Sequence, residues 1–366
     1  MNKKVVEETG IHLKEAVSRA LEQLKTRLED TQITILETPI SSKRWFQKKQ
    51  FKIRAVNLHE KINIYTGRLG QFGDIIMFIP VIRRLKDLYP NSSITFAIGY
   101  PYQEIAGLIS RDPGVDRVFI PEYYFDKPGI SKRLRKKWFY QEAQVDWRGP
   151  KEIEEQNQHD LVLQTRPPSS RYWYLEGLHH VWQEGKSVGI YDVFNWQAEL
   201  YPDPSEKLPL EIQKEYAVIH TYPSWERKRW AFENFTGIVK RLKNLGLTVC
   251  QVGGKEEPAV PGAVSLCGEL SFNQTALLIQ SAKLFIGGDS CPIHIAGAFH
   301  TPSVGIYSGG NIVYPQALTS SFEYPVNPNA TYLEASFNQH CNAISVEDVW
   351  KAVCRSLNIV PQFMVR

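Results

Sequence analysis

Apolar positions along the chain alternate between two spacings. Short runs rich in apolar residues occur at Lys61–Thr66, Ser93–Gly99, Asp116–Pro121, Asp160–Thr165 and Ser187–Tyr191, and again at Tyr216–His220, Leu247–Val252, Val264–Cys267, Leu284–Ile286 and Pro302–Tyr307. Runs of this length read as strands, the most apolar of them as buried parallel ones. Between them apolar residues recur at helical spacing. Ile75, Phe78, Ile79, Ile82 and Leu85 mark a helix over 74–89, with Pro80 inside it as an expected kink. Phe235, Ile238, Val239 and Leu242 mark another over 233–245, and further helices are expected over 102–110, 273–281 and 346–357. Ser345 with Asp348 three residues on is a variant capping box for the last. Strands alternating with helices predict parallel βαβ units.

This alternation stops and restarts once, at Tyr201-Pro-Asp-Pro-Ser-Glu-Lys-Leu-Pro209, which reads as a linker. The chain before residue 61 has a different pattern. Leu13, Val17, Ala20 or Leu21, Leu24 and Leu28 line one face of an amphipathic helix over 11–30, and 31–60 reads as irregular and basic. Residues 122–158 are aromatic and basic, with room for a helix. The predicted organisation is an extension at 1–60, one α/β domain at 61–205 and a second at 206–366. Two open α/β domains in tandem place a ligand cleft between them, at the carboxyl ends of the strands.

Composition changes this picture little. The apolar and charged fractions, 43% and 22%, are those of a globular protein, and no window has the roughly 18 apolar residues of a membrane span. The first residues lack the apolar stretch of a signal peptide, so a cytoplasmic location is expected. Five widely spaced cysteines match neither a zinc pattern nor a disulfide framework and read as reduced thiols. The net charge of +4 conceals two basic clusters: Lys43, Arg44, Lys48, Lys49, Lys52 and Arg54, and Lys132, Arg133, Arg135, Lys136 and Lys137. Aromatic residues interleave or follow both. The clusters suit peripheral contact with an anionic membrane; with no recognition motif beside them, nucleic acid is not an expected partner.

Candidate chemistry concentrates in three stretches. In Leu284-Phe-Ile-Gly-Gly-Asp-Ser-Cys-Pro-Ile-His-Ile-Ala296 a strand turns through two glycines into a helix, with Asp289 or Ser290 as its cap and Pro292 in its first turn. Free N–H groups at such a helix start suit a phosphate or diphosphate. Arg68-Leu-Gly-Gln-Phe-Gly-Asp-Ile-Ile-Met-Phe-Ile-Pro80 makes a similar glycine-rich turn in the first domain. The third stretch, His220-Thr-Tyr-Pro-Ser-Trp-Glu-Arg-Lys-Arg-Trp230, follows a strand and carries Thr221 and Ser224 as hydroxyl donors. Gly253-Gly-Lys-Glu-Glu257 also follows a strand, where Glu256 or Glu257 is placed to accept ribose hydroxyls. His220 and His294 read mainly as structural histidines.

Taken together and in this order, the stretches resemble the glycosyltransferase family 9 enzymes, the ADP-heptose:lipopolysaccharide heptosyltransferases and their relatives. The resemblance runs from about residue 61 to about 357 and includes Gln339–Val349. It implies the GT-B architecture, in which two Rossmann-like domains face each other across a cleft. It further implies sugar transfer from a nucleotide diphosphate donor, with inversion, needing neither metal nor cofactor. By resemblance Asp74 is the general base, with Gly73 beside it on the acceptor side, and Lys228 of the Lys-x-Trp pattern is the phosphate-binding lysine, with Arg229 next to it. Asp289 is expected near the transferred sugar, and Ser290 and Cys291 are expected to meet phosphate through backbone. Chemistry agrees: an attacking hydroxyl needs a base, and a diphosphate leaving group needs cationic and N–H donors.

Two departures stand out. Cys291 replaces the family's usual glycine, and Gln164–Trp173 lacks the usual acceptor-side pattern, leaving Arg166 and Arg171 as candidates for an anionic acceptor. The expected partners are a nucleotide-sugar donor, ADP-heptose foremost, and a glycan or glycolipid acceptor at the inner face of a membrane. A UDP- or GDP-hexose donor is the alternative on the same fold, and a non-catalytic sugar- or partner-binding scaffold is the alternative to an enzyme.

Overall fold

The structure is a computed structural model that describes residues 4–37, 50–68, 71–121, 150–165, 181, 185, 188, 190, 197–209, 215–310 and 325–359. The chain opens with a small unit of its own. Strand β1 (Val5–Gly10), helix α1 (Leu13–Leu24), strand β2 (Thr31–Glu37) and strand β3 (Phe51–Asn57) form an antiparallel sheet in the order β1-β3-β2. Helix α1 covers one face, with Ala16, Ala20 and Leu24 buried against Val6, Ile53 and Ala55. The stripe from Leu13 to Leu24 is thus spent on the protein's own sheet, whereas α1 ends before Leu28, which lies in a separate 3-10 turn and is exposed.

The reading of 31–60 as irregular is corrected here. Thr31-Gln-Ile-Thr-Ile35 and Lys52-Ile-Arg-Ala55 alternate with period two, and in β3 charge obscures the alternation. Lys52 and Arg54, assigned from sequence to a basic cluster, both pair with Glu7, at 2.9 Å each. Arg54 is buried. The rest of that cluster and all of the second lie outside the described residues.

Burial alone would raise the Glu7 carboxyl; the bonds and charges of Lys52 and Arg54 outweigh it and hold it below its usual range. A depressed folded-state pKa contributes stability above the unfolded value of about 4.3, and that stability is lost as pH falls. Amide-exchange protection of β1 is therefore expected to drop between about pH 5 and pH 3. Glu7→Gln should remove that pH dependence while lowering protection at neutral pH; an unchanged pH profile in the variant would refute the assignment.

This unit sits at the amino-terminal ends of the next sheet. Lys4 donates to the Lys61 carbonyl at 2.8 Å and pairs with Asp160 at 3.3 Å, and Asn91 donates to the Leu58 carbonyl at 2.7 Å. Val5 and Val56 join the core beneath.

That sheet has the order β6-β5-β4-β7, built from β4 (Ile62–Arg68), β5 (Ser92–Ile98), β6 (Arg117–Phe119) and β7 (Leu161–Thr165), all parallel. Its helices are α2 (Phe72–Leu88), α3 (Ala106–Ile109) and α4 (Pro150–Gln156). Pro80 lies inside α2 among buried neighbours. The helix expected over 102–110 is a 3-10 turn, Tyr100–Ile105, followed by the single turn of α3. The expected strand at 187–191 falls partly outside the described residues; Val188 and Ile190 both donate to the Gly185 carbonyl, as a turn does.

The second parallel sheet has six strands in the order β10-β9-β8-β11-β12-β13. They are β8 (Tyr216–His220), β9 (Thr248–Gln251), β10 (Val264–Ser265), β11 (Leu284–Gly288), β12 (Ser303–Tyr307) and β13 (Ala330–Glu334). Helices α5 (Phe232–Asn244), α6 (Phe272–Gln280), α7 (Cys291–Ala298) and α8 (Val346–Ser356) accompany them. Ser345 caps α8 as its sequence predicted, accepting from the Asp348 N–H at 3.1 Å.

The carboxyl edges of the two parallel sheets face each other, and the starts of α2 and α7 meet there. A side chain on Gly73 would lie 3.0 Å from the His294 ring and 3.7 Å from the Cys291 Cα, so only glycine allows this approach without displacing its neighbours. One apolar cluster runs through the contact, from Ile75 and Ile76 to Ile293 and Ala296. This is the GT-B arrangement expected from the motif order.

Candidate active site

Asp74 is the third residue of α2. Its carboxylate accepts the Gln71 N–H at 3.0 Å while the Gln71 side chain accepts the Asp74 N–H, a reciprocal cap. The position at a helix start favours the ionised carboxylate. Asp74 is half-buried and faces Cys291 across the domain boundary. Burial first, and the Asp74 charge second, push the Cys291 thiol up, so it stays neutral. A neutral thiol there adds bulk without adding a competing charge.

The opposing wall is the loop after β8. It lies tightly on the end of β11, because a side chain on Gly288 would come within 2.9 Å of the Lys228 carbonyl. Trp230 anchors the loop: it is buried, donates to the Ile344 carbonyl at 2.8 Å and meets Phe235 edge-on. The Trp of the Lys-x-Trp pattern thus holds the backbone that presents Lys228. The Lys228 ammonium pairs with the Asp289 carboxylate and lies 5.2 Å from the centre of the Trp225 ring. Asp289 is 4% exposed, and its other oxygen is 3.7 Å from His294 Nε2. His294 in turn packs on Gly73. A continuous line of contacts therefore joins the lysine of one wall to the turn that carries Asp74 on the other.

Ser290 occupies the cap position of α7 but makes no side-chain cap bond. The start of that helix therefore has no side-chain cap, and the Ile293 N–H bonds the Ser290 carbonyl at 3.1 Å. Thr221 is buried, with its hydroxyl 3.3 Å from Gln251 Nε2, and Ser224 is exposed on the same loop. Arg229 folds back onto its own loop, donating to the Pro223 carbonyl at 2.8 Å and stacking on Tyr222 at 3.5 Å. Glu257 accepts the Gly254 N–H at 2.7 Å and is tucked against Gly253, whereas Glu256 is exposed. Arg166 and Arg171 lie outside the described residues.

Three residues gain importance that their sequence did not give them. Arg227 donates to the Gly309 and Gln339 carbonyls, at 3.3 and 3.2 Å, and so ties the lysine loop to the chain after β12 and to the loop after β13. Trp225 flanks Lys228, and His294 lies between Asp289 and Gly73 instead of inside an isolated helix. The run Glu-Arg-Lys-Arg offered no way to tell Arg227 from its neighbours; only the fold separates them. All five cysteines are unpaired. Among the described residues no group of three or more His, Cys, Asp or Glu could hold a metal ion, and no helix is long and apolar enough to cross a membrane.

Comparison with known proteins agrees with the motifs. Residues 191–346 match the model of glycosyltransferase family 9 (heptosyltransferase). The chain is 21% identical over 294 residues to lipopolysaccharide heptosyltransferase 3 of Escherichia coli, an alignment spanning 66% of this chain and 82% of that protein. In three dimensions it is similar to a family 9 glycosyl transferase from Veillonella parvula, with a TM-score of 0.60 at 16% identity, covering 81% of this chain and 97% of the other. It is also similar to the E. coli ADP-heptose lps heptosyltransferase II, with a TM-score of 0.57 at 15% identity, covering 81% and 99%.

Proposed function

From the match of residues 191–346 to the glycosyltransferase family 9 model, we propose that the protein transfers heptose from ADP-heptose to a lipopolysaccharide-like glycan, with inversion and without a metal or cofactor. The observation that carries this reading is the pairing across the cleft. A carboxylate, Asp74, stands at one helix start, and a lysine–aspartate pair with an open helix start stands opposite.

Each part has its own role in the reaction. Asp74 takes the proton of the acceptor hydroxyl as that oxygen attacks the anomeric carbon. The bond from that carbon to the donor phosphate breaks on the opposite face, and the nucleoside diphosphate leaves with the electron pair. Lys228 turns from Asp289 to the phosphate oxygens, where N–H groups at the start of α7 join it. Asp289, relieved of the lysine, accepts hydroxyls of the bound sugar. Of the two glutamates, Glu256 is placed to meet the ribose, since Glu257 is engaged by its own loop. A location at the inner face of the membrane follows from the glycolipid nature of the proposed acceptor.

The test is calorimetric titration with ADP, UDP, GDP and CMP. Selective ADP binding is expected. Selective UDP or GDP binding would replace the donor with a hexose linked to that nucleotide, and silence with all four would leave a non-catalytic scaffold.

A further inference from the structure

The start of α6 holds together more of the molecule than a helix cap requires. Phe272, its first residue, meets Phe72 of the other domain with ring centroids 4.3 Å apart, and Tyr102 meets the same Phe72 edge-on at 5.1 Å. Phe72 is the first residue of α2, two before Asp74. Next to Phe272, Asn273 exchanges two hydrogen bonds with the backbone of Asp203 in the linker, at 2.7 and 3.1 Å. Gln274 donates to the Lys207 carbonyl at 2.8 Å, and its side chain also closes the cap of α6 with Ser271. Asp203 pairs with Arg111 of the first domain. One helical turn therefore grips both the linker and the turn that bears the base.

We infer that this turn is a clamp that sets the angle between the domains, and that Phe272 is a positioning residue for Asp74. The inference rests on the proposed role of Asp74 as base. The physical case is one of leverage. Phe72 and Asp74 share the first turn of α2, so a displacement of that turn, which the Phe72 ring anchors, moves the carboxylate with it. Lys228 and Asp289 follow strands of the other domain's sheet, so their pairing is set within that domain even though His294 packs on Gly73. Losing the clamp should therefore reduce the rate of transfer and spare nucleotide affinity. An aromatic contact suits such a role, because ring pairs have preferred mutual geometries.

Phe272→Ala and Phe272→Tyr in the full-length protein test the idea by three measurements: ADP affinity by calorimetry, the rate of transfer from ADP-heptose at saturation, and hydrogen exchange of the peptide spanning 71–80. Phe272→Ala should lower the transfer rate about 10- to 100-fold, the loss expected for a misplacement on the order of 1 Å, with ADP affinity unchanged. Exchange in 71–80 should accelerate, and Phe272→Tyr, which keeps the ring, should restore both. Unaltered exchange would overturn the clamp, and a parallel fall in affinity and rate would overturn the positioning role. If the wild-type protein neither binds ADP nor transfers heptose, the functional reading fails, and exchange alone decides whether the clamp exists.

Discussion

Asp74→Asn is expected to keep nucleotide affinity and to lose sugar transfer by about 10²- to 10⁴-fold, the usual contribution of a positioned general base. The substitution is unusually clean at this place. Asparagine retains an oxygen that can accept the Gln71 N–H, so the cap of α2 survives. It is nearly the same size, so the close packing of Gly73 on His294 is undisturbed. What disappears is the ability to take a proton. Thermal denaturation should show a loss of less than about 1 kcal/mol, the scale of a helix cap. A rapid transfer rate in the variant would remove Asp74 from the chemistry and return it to the role of a cap.

Lys228→Ala should act on stability and on binding together, and the two effects can be separated. Asp289 is nearly inaccessible, and removal of its lysine leaves a buried carboxylate without its cation. Breaking one side of such a pair costs about 3 kcal/mol or more. Independently, loss of a charge-assisted bond to phosphate should weaken nucleotide binding by about 1.5–3 kcal/mol. The double variant Lys228→Met with Asp289→Leu discriminates between them. It removes the stranded charge, so stability measured by urea unfolding should recover, while nucleotide affinity stays low. A double variant as unstable as Lys228→Ala would show that the loss arises from packing around the loop and not from the stranded charge of Asp289.

The parallel sheets and their helices were legible in the sequence because each element satisfies its own pattern. Tyr216–His220 is uniformly buried and reads as such, and Ser345 caps α8 through the N–H that its spacing implied. The strands that escaped notice failed for local reasons. In β3, charged Lys52 and Arg54 stand on the side of the strand facing Glu7, where ion pairing does what apolar contact does elsewhere. β13 is an edge strand, half-buried over Ala330–Leu333 and exposed at Glu334, so it lacks the apolar run of its neighbours. The site divides in the same way. Asp74, Lys228 and Asp289 stood out through the resemblance of the stretches that carry them to family 9, glycines and a tryptophan being part of those stretches. Glu257, Arg227 and His294 carry their meaning in contacts with residues distant in the chain: His220, Gly309 and Gly73.

The small antiparallel unit and the cleft occupy opposite poles of the first α/β domain. Lys4, Leu58 and their partners Lys61, Asn91 and Asp160 lie where the parallel strands begin, and Asp74 lies where they end. A body gripped by the first pole presents the second outward. Whatever holds that sheet, whether a neighbouring molecule or an immobilising support, grips the pole opposite to the one that bears Asp74.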